Sequence, residues 1–590
     1  MGTFGSTFGR NYNFSNIVVT PPPTGSAPEI TGETESFLSI NRVGVSCSIN
    51  PNGEATSIIL QYGLTTSYGS TVIMDNLVGT SPIPISAIIP KSTPDIYHYR
   101  IVATNAEGTT NGTDQTFTIY PGVGRDLTDY STALNAVIAT FTGSSYYIDP
   151  DAATNGTGTE LSPYNTWSGL ALTADNKYYQ KRGTTAILSG AGLASINGRC
   201  LIGAYGSGNE RATIQQSSAG NCIATSYQIV VMDIDITGAT PASPGLESGS
   251  GIRMLNTSYG QVLNNWVYNC EIHNFGDGIT CSVNPESNYW SGIKILYSHI
   301  HHCAIEGIMF NDVTDIEVAH CYIHHINRYY FINTDQDYSN GDCIQAQFAD
   351  GLNPASRLVA YFHHNTFDRT LEATFNKFCI IANDQDNNEE TYIYNNHFIC
   401  PLRGTGPDTS ALYLSTSSAV QGHTNKSYVY NNIFEGGNFG IVNYLEGGCN
   451  VYYNLFIDQY VCIATYSSGS DTNIYNNIFK NYIGAVVPAS TPSVVRSNNN
   501  VFIKASGTNP YSGTSGLVSN THNHFVYGTP SGTNYTTGDA GFVDEANMDF
   551  RILTTSVLKN SGTNVSLTED FFGTSLPQGA SVDKGIHEFV

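Results

Sequence analysis

The chain has 590 residues, more than one hydrophobic core usually organises, so its length predicts two or more domains. Acidic residues outnumber basic residues 48 to 24, and the net charge of −24 repels phosphate backbones and excludes nucleic acid as a partner. No apolar run is long enough to span a bilayer, which excludes insertion into a membrane.

Residues 1–26 are rich in Gly, Asn, Thr and Pro, a composition typical of an arm or linker. They lack the basic start and apolar stretch of a secretory signal. The sequence therefore predicts that the protein is not exported by that route, or that a leader has been removed. The arm is interpreted either as a disordered tail or as a segment that docks into a larger assembly.

Residues 27–120 show short alternating strands separated by turns, which predicts a small β-sandwich. The stretch from Tyr97 to Gly108 contains Tyr, Arg, Ala, Asn and Gly in that order and resembles the F strand of a fibronectin type III domain. The resemblance implies that Tyr97 or Tyr99 forms the tyrosine corner of that fold. Residues 121–144 are then predicted to be a linker.

A short repeated motif marks the third region, with copies at Tyr392–Phe398, Tyr428–Phe434, Val451–Phe456 and Asn473–Phe479. A coil of this kind buries its alternating apolar residues only against the next coil, so the repeat predicts a solenoid of parallel β-sheets. One asparagine of each copy is predicted to stack in a single hydrogen-bonded column, with a spacing of 22 or 23 residues: Asn432, Asn454, Asn477 and Asn500.

Both ends of this region resemble pectate-lyase-like, right-handed parallel β-helix proteins of the polysaccharide lyase and phage tailspike type. The opening contains Tyr146–Pro150, and the end contains Asp583–Phe589. The resemblance implies a β-helix over residues 145–590, opened by a short capping helix and closed by a C-terminal cap that ends in Gly-x-x-Glu-aromatic. The predicted fold class is all-β, a right-handed parallel β-helix preceded by a small fibronectin type III-like or immunoglobulin-like β-sandwich.

Cysteines and histidines are both candidates for metal ligands. The 12 cysteines form no CxxC motif, and many fall in strand-like segments, which favours buried thiols over disulfides or a metal site. Six histidines could form a metal cluster, but their positions match strand ends in successive coils and favour stacked surface histidines. These six are His299, His301, His302, His320, His324 and His325.

The densest polar cluster lies between residues 333 and 386. Asp342 and Asp368 are separated by one coil, which predicts stacked neighbours about 5 Å apart. In a glycoside hydrolase, these two carboxylates would serve as the acid and as the base or nucleophile. In a polysaccharide lyase, Arg369 or Lys377 would remove the proton beside a uronate carboxylate.

The same cluster offers ligands for Ca²⁺, although neither mechanism predicts a required cofactor. In a lyase, Ca²⁺ would neutralise the growing enolate, and the available carboxylates are Asp335, Asp337, Asp342 and Asp384. The candidates for substrate binding are Asp337, Tyr289 and Trp290. The rings of Tyr289 and Trp290 could stack on a sugar or could pack against the protein. Since Asp and Asn are also common at β-helix turns, these residues could equally serve only the fold.

The order of arm, sandwich and β-helix resembles a phage tailspike or receptor-binding fibre. The resemblance implies a homotrimer attached to the virion through its N-terminus, with a β-helix that binds and often cleaves host surface polysaccharide. A secreted bacterial polysaccharide lyase or glycosidase is the first alternative. A non-catalytic adhesin or structural stalk is the second. The predicted location is therefore the virion tail, the cell surface or the extracellular space.

Overall fold

A computed structural model describes residues 25–39, 42–90, 95–119, 130–193, 195–207, 210–239, 248–256, 261–283, 289–311, 313–326, 341–347, 358–370, 378–384, 389–402, 409–416, 426–445, 447–466, 471–488, 494–504, 509–511, 516–527, 529–545, 548–572 and 574–589. These residues divide into two compact units, the first formed by 25–36, 43–90 and 95–118 and the second by the residues from 130 onward. Within the described ranges, no helix is long and apolar enough to cross a membrane.

The first unit contains a three-stranded and a five-stranded sheet, as a small β-sandwich requires. The three-stranded sheet has the order β1 (Glu29–Ser39), β2 (Arg42–Asn50) and β5 (Ile83–Pro90). The other sheet contains β3 (Thr56–Gly63), β4 (Ser70–Leu77), β6 (Asp95–Asn105), β7 (Gly108–Asn111) and β8 (Gln115–Ile119). Tyr97 and Tyr99 are buried on β6, and the Tyr97 ring stacks on Phe117 at 5.3 Å. The tyrosine corner and the relation to fibronectin type III domains stay predictions.

The second unit is a right-handed parallel β-helix built from three long sheets, which confirms the predicted fold class. The first sheet contains β9 (Ser145–Ile148), β10 (Lys177–Lys181), β12 (Cys200–Tyr205), β15 (Ile229–Met232), β18 (Gln261–Leu263), β19 (Trp266–Tyr268), β22 (Tyr289–Leu296), β25 (Val313–Ala319), β28 (Leu358–His363), β31 (Glu389–Tyr394), β34 (Lys426–Tyr430), β37 (Cys449–Tyr452), β40 (Asp471–Tyr475), β43 (Val494–Asn498) and β45 (Leu517–Thr521).

The second sheet contains β11 (Thr185–Leu188), β13 (Ala212–Gln216), β16 (Ile234–Thr237), β20 (Glu271–His273), β23 (His299–Cys303), β26 (Tyr322–Ile326), β29 (Thr366–Asp368), β32 (His397–Ile399), β35 (Ile433–Glu435), β38 (Leu455–Ile457), β41 (Ile478–Lys480), β44 (Val501–Ile503), β46 (His524–Phe525) and β47 (Thr536–Thr537). The third contains β14 (Ile223–Thr225), β17 (Ser250–Asn256), β21 (Asp277–Val283), β24 (Ile308–Asn311), β27 (Ile344–Gln347), β30 (Phe378–Asp384), β33 (Ser410–Thr416), β36 (Phe439–Tyr444), β39 (Val461–Thr465) and β42 (Gly484–Pro488).

The core of the β-helix is a set of columns in which each coil places the same kind of side chain above the last. One column is formed by phenylalanines of the second sheet, whose stacked rings have centroids 4.7–5.0 Å apart: Phe367, Phe398, Phe434, Phe456, Phe479 and Phe502. The 12 cysteines all lie within the described residues, where they are buried and form no disulfide, which confirms their predicted role as small apolar residues.

The predicted asparagine column is confirmed and extends further than the four predicted members. The side-chain amide of Asn454 donates to Asn477 Oδ1 at 3.0 Å, and the Asn454 backbone N–H donates to the same oxygen at 2.8 Å. The same pattern joins Asn365, Asn396, Asn432, Asn454, Asn477, Asn500 and Asn523. The residue before each asparagine has a positive φ, as at Asn431 and Asn476, which explains the repeated Asn-Asn pair because asparagine tolerates this conformation.

Part of the segment predicted to be a linker is helical. Residues Tyr130–Ala139 form α1, in which Tyr130 and Leu134 are buried. These two residues and Phe141 pack on outward side chains of the first sheet, among them Leu201 and Trp266. The apolar face of the helix therefore covers part of the first sheet.

The C-terminal segment, residues 540–589, differs from the predicted end cap because it packs along the side of the second sheet. Its apolar residues, including Phe550, Leu558 and Phe571, form one cluster with outward side chains of four successive strands. Asn476 Nδ2 donates to the carbonyl oxygens of Asp583 and Gly585, both at 3.0 Å. The segment also contains the antiparallel hairpin of β48 (Phe542–Asp544) and β49 (Asp549–Ile552). We call residues 540–589 the C-terminal cover.

Candidate functional site

The outer surface of the second sheet carries two columns of polar side chains on five successive strands, from β16 to β29. The central residue of each strand, such as Ile236 or Phe367, is buried in the core, so the residues on either side of it point outward. The first column is Asp235, Glu271, His299, Tyr322 and Thr366, and the second column is Thr237, His273, His301, His324 and Asp368. We call these ten residues the polar face.

Side chains of the first column contact the second column one coil further on, and this diagonal contact repeats along the axis. The contacts are Asp235 Oδ1 with His273 Nε2 (3.1 Å), Glu271 Oε1 with His301 Nε2 (3.2 Å), His299 Nε2 with His324 Nε2 (2.6 Å) and the Tyr322 hydroxyl with Asp368 Oδ2 (3.5 Å). The polar face is therefore a connected network in which carboxylates, imidazoles and a tyrosine hydroxyl of successive coils contact one another.

The network changes the protonation of its own members. Hydrogen bonds from His299 and His301 hold the pKa of Glu271 well below its usual value, so this carboxylate is ionised at neutral pH. Burial lowers the pKa of His301 to about 4, against the opposing effect of Glu271. Burial and the neighbouring histidines also lower the pKa of His324. At neutral pH the face thus combines the ionised Glu271 with the neutral imidazoles of His301 and His324, which can accept as well as donate hydrogen bonds.

The predicted stacking of histidines is confirmed, but the prediction that they lie at the surface was wrong for His301, His320 and His324, which are buried. The parallel ring pairs, with centroids 4.5–5.1 Å apart, are His273–His301, His301–His324, His302–His325 and His320–His364. Stacking also brings ligand nitrogens together in two groups of three residues, each group within 4.8 Å: His299, His301 and His324 on the polar face, and His320, His363 and His364 in the interior.

The predicted catalytic pair, Asp342 and Asp368, is not stacked. Asp368 ends β29 in the second sheet, where its neighbours along the axis are His324 and Ile399. Asp342 lies just before β27 in the third sheet. The prediction of a stacked pair was wrong because the two residues are one coil apart in sequence but occupy different positions within their coils. Asp368 belongs to the polar face, and Asp342 does not.

Asp342 and Arg369 are fully buried and bind backbone groups of neighbouring coils. Asp342 Oδ1 accepts a hydrogen bond from Phe378 N at 2.8 Å, and Arg369 Nη1 donates to Phe378 O at 2.6 Å. Glu306 Oε2 accepts from Asp342 N at 2.8 Å, and burial together with the charge of Asp342 raises the pKa of Glu306 well above its usual value. These contacts favour a structural role for both residues, and their catalytic roles stay predictions.

The remaining predicted site residues fall at the edge of the described structure or outside it. Tyr289 and Trp290 are the first residues of β22, and Asp384 is the last residue of β30. Lys377 and the two acids Asp335 and Asp337 lie outside the described residues.

The sequence analysis missed Asp235 and Glu271. Their signal was the alternation Ile234-Asp235-Ile236-Thr237 and Glu271-Ile272-His273, in which polar residues surround an apolar one in matching registers. Such short strands are recognised only after their register with the stronger copies is known. Of the predicted catalytic residues that the structure describes, Asp368 alone lies on the polar face.

A separate groove of about 720 Å³ lies beside the C-terminal cover. Its lining includes Tyr394, Tyr430 and Tyr452 on one side and Ser566–Asp570 on the other. The three tyrosine rings stack on one another at 4.9 and 5.0 Å, so their faces are occupied and only their edges are available to a sugar. Burial raises the pKa of Asp570 to about 6, but this carboxylate accepts a hydrogen bond from Glu588 N and is part of the cover.

Comparison with known proteins gives only weak structural similarities. No protein-family model and no curated protein matches the chain. It is similar to the catalytic unit of the thermostable GH87 α-1,3-glucanase from Streptomyces thermodiastaticus strain HF3-3, with 9% identity and a TM-score of 0.34 over 83% of this chain and 94% of that one. It is also similar to ORF18 of Geobacillus virus E2, with 12% identity and a TM-score of 0.28 over 72% and 68% of the two chains. Likenesses this weak carry no argument about function.

Proposed function

We propose that the protein binds a polysaccharide along the polar face, outside cells or on the surface of a virion. The observation that carries this proposal is the repetition of the face: five successive coils present two outward polar columns joined by diagonal contacts. Because strands repeat about every 4.8 Å along the axis, the face places polar side chains at a regular step, with Thr366 at the buried end of its column. A linear polymer of repeated sugar units is a ligand that can use such a row.

The chemistry of the face fits sugar hydroxyls better than a strongly anionic ligand. The face contains the acids Asp235, Glu271 and Asp368 and no Lys or Arg, so a phosphate-rich polymer would be repelled. Carboxylates accept hydrogen bonds from hydroxyls, and neutral imidazoles both donate and accept them. About one third of the Glu271 and His299 side-chain surface is accessible (35% and 34%), so both can reach a bound chain.

The test is a binding screen against neutral and acidic polysaccharides, followed by variants of the face. Glu271→Gln and Asp368→Asn should each weaken binding about tenfold, the loss of roughly one charged hydrogen bond. Asp471→Asn is the matched control, because Asp471 is also an exposed, paired carboxylate but lies on the first sheet. Equal weakening by the control, or no bound polysaccharide in the panel, would contradict the proposal.

A second candidate function, hydrolysis of the bound glycan, is favoured by one specific observation. Asp235 and Glu271 stand opposite each other on adjacent parallel strands, a backbone spacing of about 4.8 Å. Neighbours at this backbone spacing can bring their carboxyl groups to the separation of about 5 Å that retaining glycosidases use. In this arrangement the ionised Glu271 would be the nucleophile and Asp235 the acid and base.

Hydrolysis is tested separately from binding by measuring new reducing ends and unsaturated uronate products. Retaining hydrolysis predicts new reducing ends of unchanged anomeric configuration and no unsaturated product. The rate of cleavage should fall at least 1000-fold in Asp235→Asn and in Glu271→Gln, on the order of the effect of deleting a catalytic group. Unsaturated products would instead favour the predicted lyase chemistry of Arg369 or Lys377. Cleavage that disappears only in Asp342→Asn, with unchanged stability, would favour the pair predicted from the sequence.

The assembly predicted from the sequence is part of the same proposal. The chain would form a homotrimer and attach to a virion through residues 1–26. Sedimentation velocity of the full chain should then give three times the chain mass of 63.7 kDa. A monomer in solution would instead favour the secreted enzyme or the surface stalk.

A further inference from the structure

We propose that His299, His301 and His324 form a binding site for a divalent transition-metal ion of the Zn²⁺ type. The three side chains belong to two neighbouring coils and face the same side of the second sheet. Imidazole nitrogens suit zinc and its neighbours in the transition series, and three histidines leave one position open for water or another ligand. The site does not depend on the proposed binding of glycan.

The backbone brings the three histidines together without any loop. His299 and His301 are two residues apart on β23 and therefore point to the same face. His324 is the register partner of His301 on β26. One ligand nitrogen from each of the three residues lies within 4.8 Å of the others. Because strands fix these positions, little ordering is needed when an ion binds.

The contact between His299 and His324 brings two potential ligand nitrogens together. Their Nε2 atoms lie 2.6 Å apart, and two neutral nitrogens at this distance would point lone pairs at each other unless a proton or a metal ion lies between them. Two nitrogens bound to one tetrahedral zinc ion at 2.0–2.1 Å are about 3.3 Å apart, so the rings need to separate by only about 0.7 Å.

Glu271 is in the position of an outer carboxylate that orients metal ligands. Its Oε1 accepts a hydrogen bond from His301 Nε2 at 3.2 Å and lies 3.6 Å from His299 Nδ1. A carboxylate on Nδ1 leaves the Nε2 lone pair of His299 directed toward His324. Glu271 is therefore a positioning residue for the metal site, not one of its three ligands.

The other histidine group is less suited to exchange an ion with solvent. His320, His363 and His364 are all buried, with exposed fractions of 4% or less. In the proposed site, by contrast, about one third of the His299 side chain is exposed (34%), which provides a path for the ion.

The test uses the full chain without an affinity tag, stripped of metal with a chelator and titrated calorimetrically with Zn²⁺ in the absence of glycan. We expect one tight site per chain. His299→Asn and His324→Asn should each weaken binding by more than about 100-fold, and Glu271→Gln by about tenfold, as for outer-shell partners. His397→Asn is the matched control, because His397 is also paired with a carboxylate on the second sheet, and it should bind Zn²⁺ like the wild type.

Two results would overturn the proposal: a wild-type chain that binds no Zn²⁺, or a site that is lost in His320→Asn and kept in His324→Asn. If the variants do not fold, wild-type crystals soaked in Zn²⁺ decide the question. An anomalous peak at the zinc edge within about 2.3 Å of the three imidazoles would support the site. A peak elsewhere, or none, would refute it. A negative result would leave the glycan proposal standing, since Asp368→Asn, which changes no residue of the metal site, tests that proposal separately.

Discussion

The second sheet presents the same two outward columns along its length, yet the first of these columns has opposite chemistry in the two halves of the sheet. From β16 to β29 these columns carry carboxylates, histidines and a tyrosine. From β35 to β44 the first column becomes Ile433, Leu455, Ile478 and Val501, all buried under the C-terminal cover. The register is continuous between the halves, so the difference lies only in the side chains and in what packs on them.

This difference shows how a solenoid separates folding from function. The inward column is apolar in both halves, from Ile236 to Phe502, because every coil must fill the same core. The outward columns are not needed for the core, so they can serve another purpose in each half. In the covered half they anchor a C-terminal segment, and in the polar half they form the candidate site. The contact between His397 and Glu435 marks the border.

Removing the cover should produce the largest effect. A chain that ends after residue 539 would expose the apolar column of Ile433, Leu455, Ile478 and Val501 as one continuous patch. Exposed patches of this kind promote aggregation. We expect the truncated chain to be insoluble or to associate into large particles, as measured by size-exclusion chromatography with light scattering.

The comparison would fail if the truncated chain were a soluble protein with an unchanged melting temperature. In that case the cover would add little to the β-helix, and the apolar column would need another explanation. The control is Asp368→Ala in the full chain, which changes an outward residue of the polar half and should leave solubility unchanged.

A smaller effect, on the free energy of unfolding, is expected from a single charge introduced into the covered half. Ile478 is fully buried in the column that holds Asp235 in the polar half. Ile478→Asp should lower the free energy of unfolding by about 3 kcal/mol or more, because an unpaired carboxylate is buried under the cover. Ile478→Val, which keeps the apolar contact, should cost about 1 kcal/mol. Urea unfolding of both variants measures the difference, and equal values would mean that the cover does not exclude water.

The sequence predicted the repeat well and the site poorly, for one physical reason. Asn432, Asn454, Asn477 and Asn500 occupy a turn in which each coil needs the same residue, so they recur visibly and their column was predicted correctly. The polar face follows no such rule, since its residue types change from coil to coil. Only the register of strands separated by long insertions identifies it.

Insertions between strands also explain the error at Asp342 and Asp368. The segment between β26 and β27 is longer than that between β23 and β24, so counting residues did not show that Asp342 and Asp368 belong to different sheets. The burial of Arg369 was equally hidden, because a rare basic residue within an acidic cluster favours a binding site until the structure shows its backbone partners. A cluster in sequence is thus weaker evidence than a shared register.

The smallest predicted effect concerns the pH dependence of stability, to which buried histidines of both halves contribute. Burial lowers the pKa of His301 in the polar half to about 4, and it does the same to His524 and His587 in the C-terminal region. In the unfolded chain a histidine has a pKa of about 6.5. Between these values the unfolded chain binds a proton that the native protein does not, so stability falls as the pH is lowered from about 6.5 to about 4.

Substituting His301 measures how much the polar half contributes to the loss of stability at low pH. The groups that face it are Glu271, His273, His299, His302 and His324. Of these, Glu271 favours the charged imidazole, whereas His273 and His299 oppose it. His301→Asn should therefore reduce the loss of stability between pH 7 and pH 5 by about 1–2 kcal/mol, measured by urea unfolding at both values. His587→Asn, whose histidine lies in the C-terminal cover, should give a similar reduction. A different outcome is that His587→Asn flattens the pH profile and His301→Asn does not. Water would then reach the polar face freely, and the two halves would differ in accessibility more than the burial of His301 indicates.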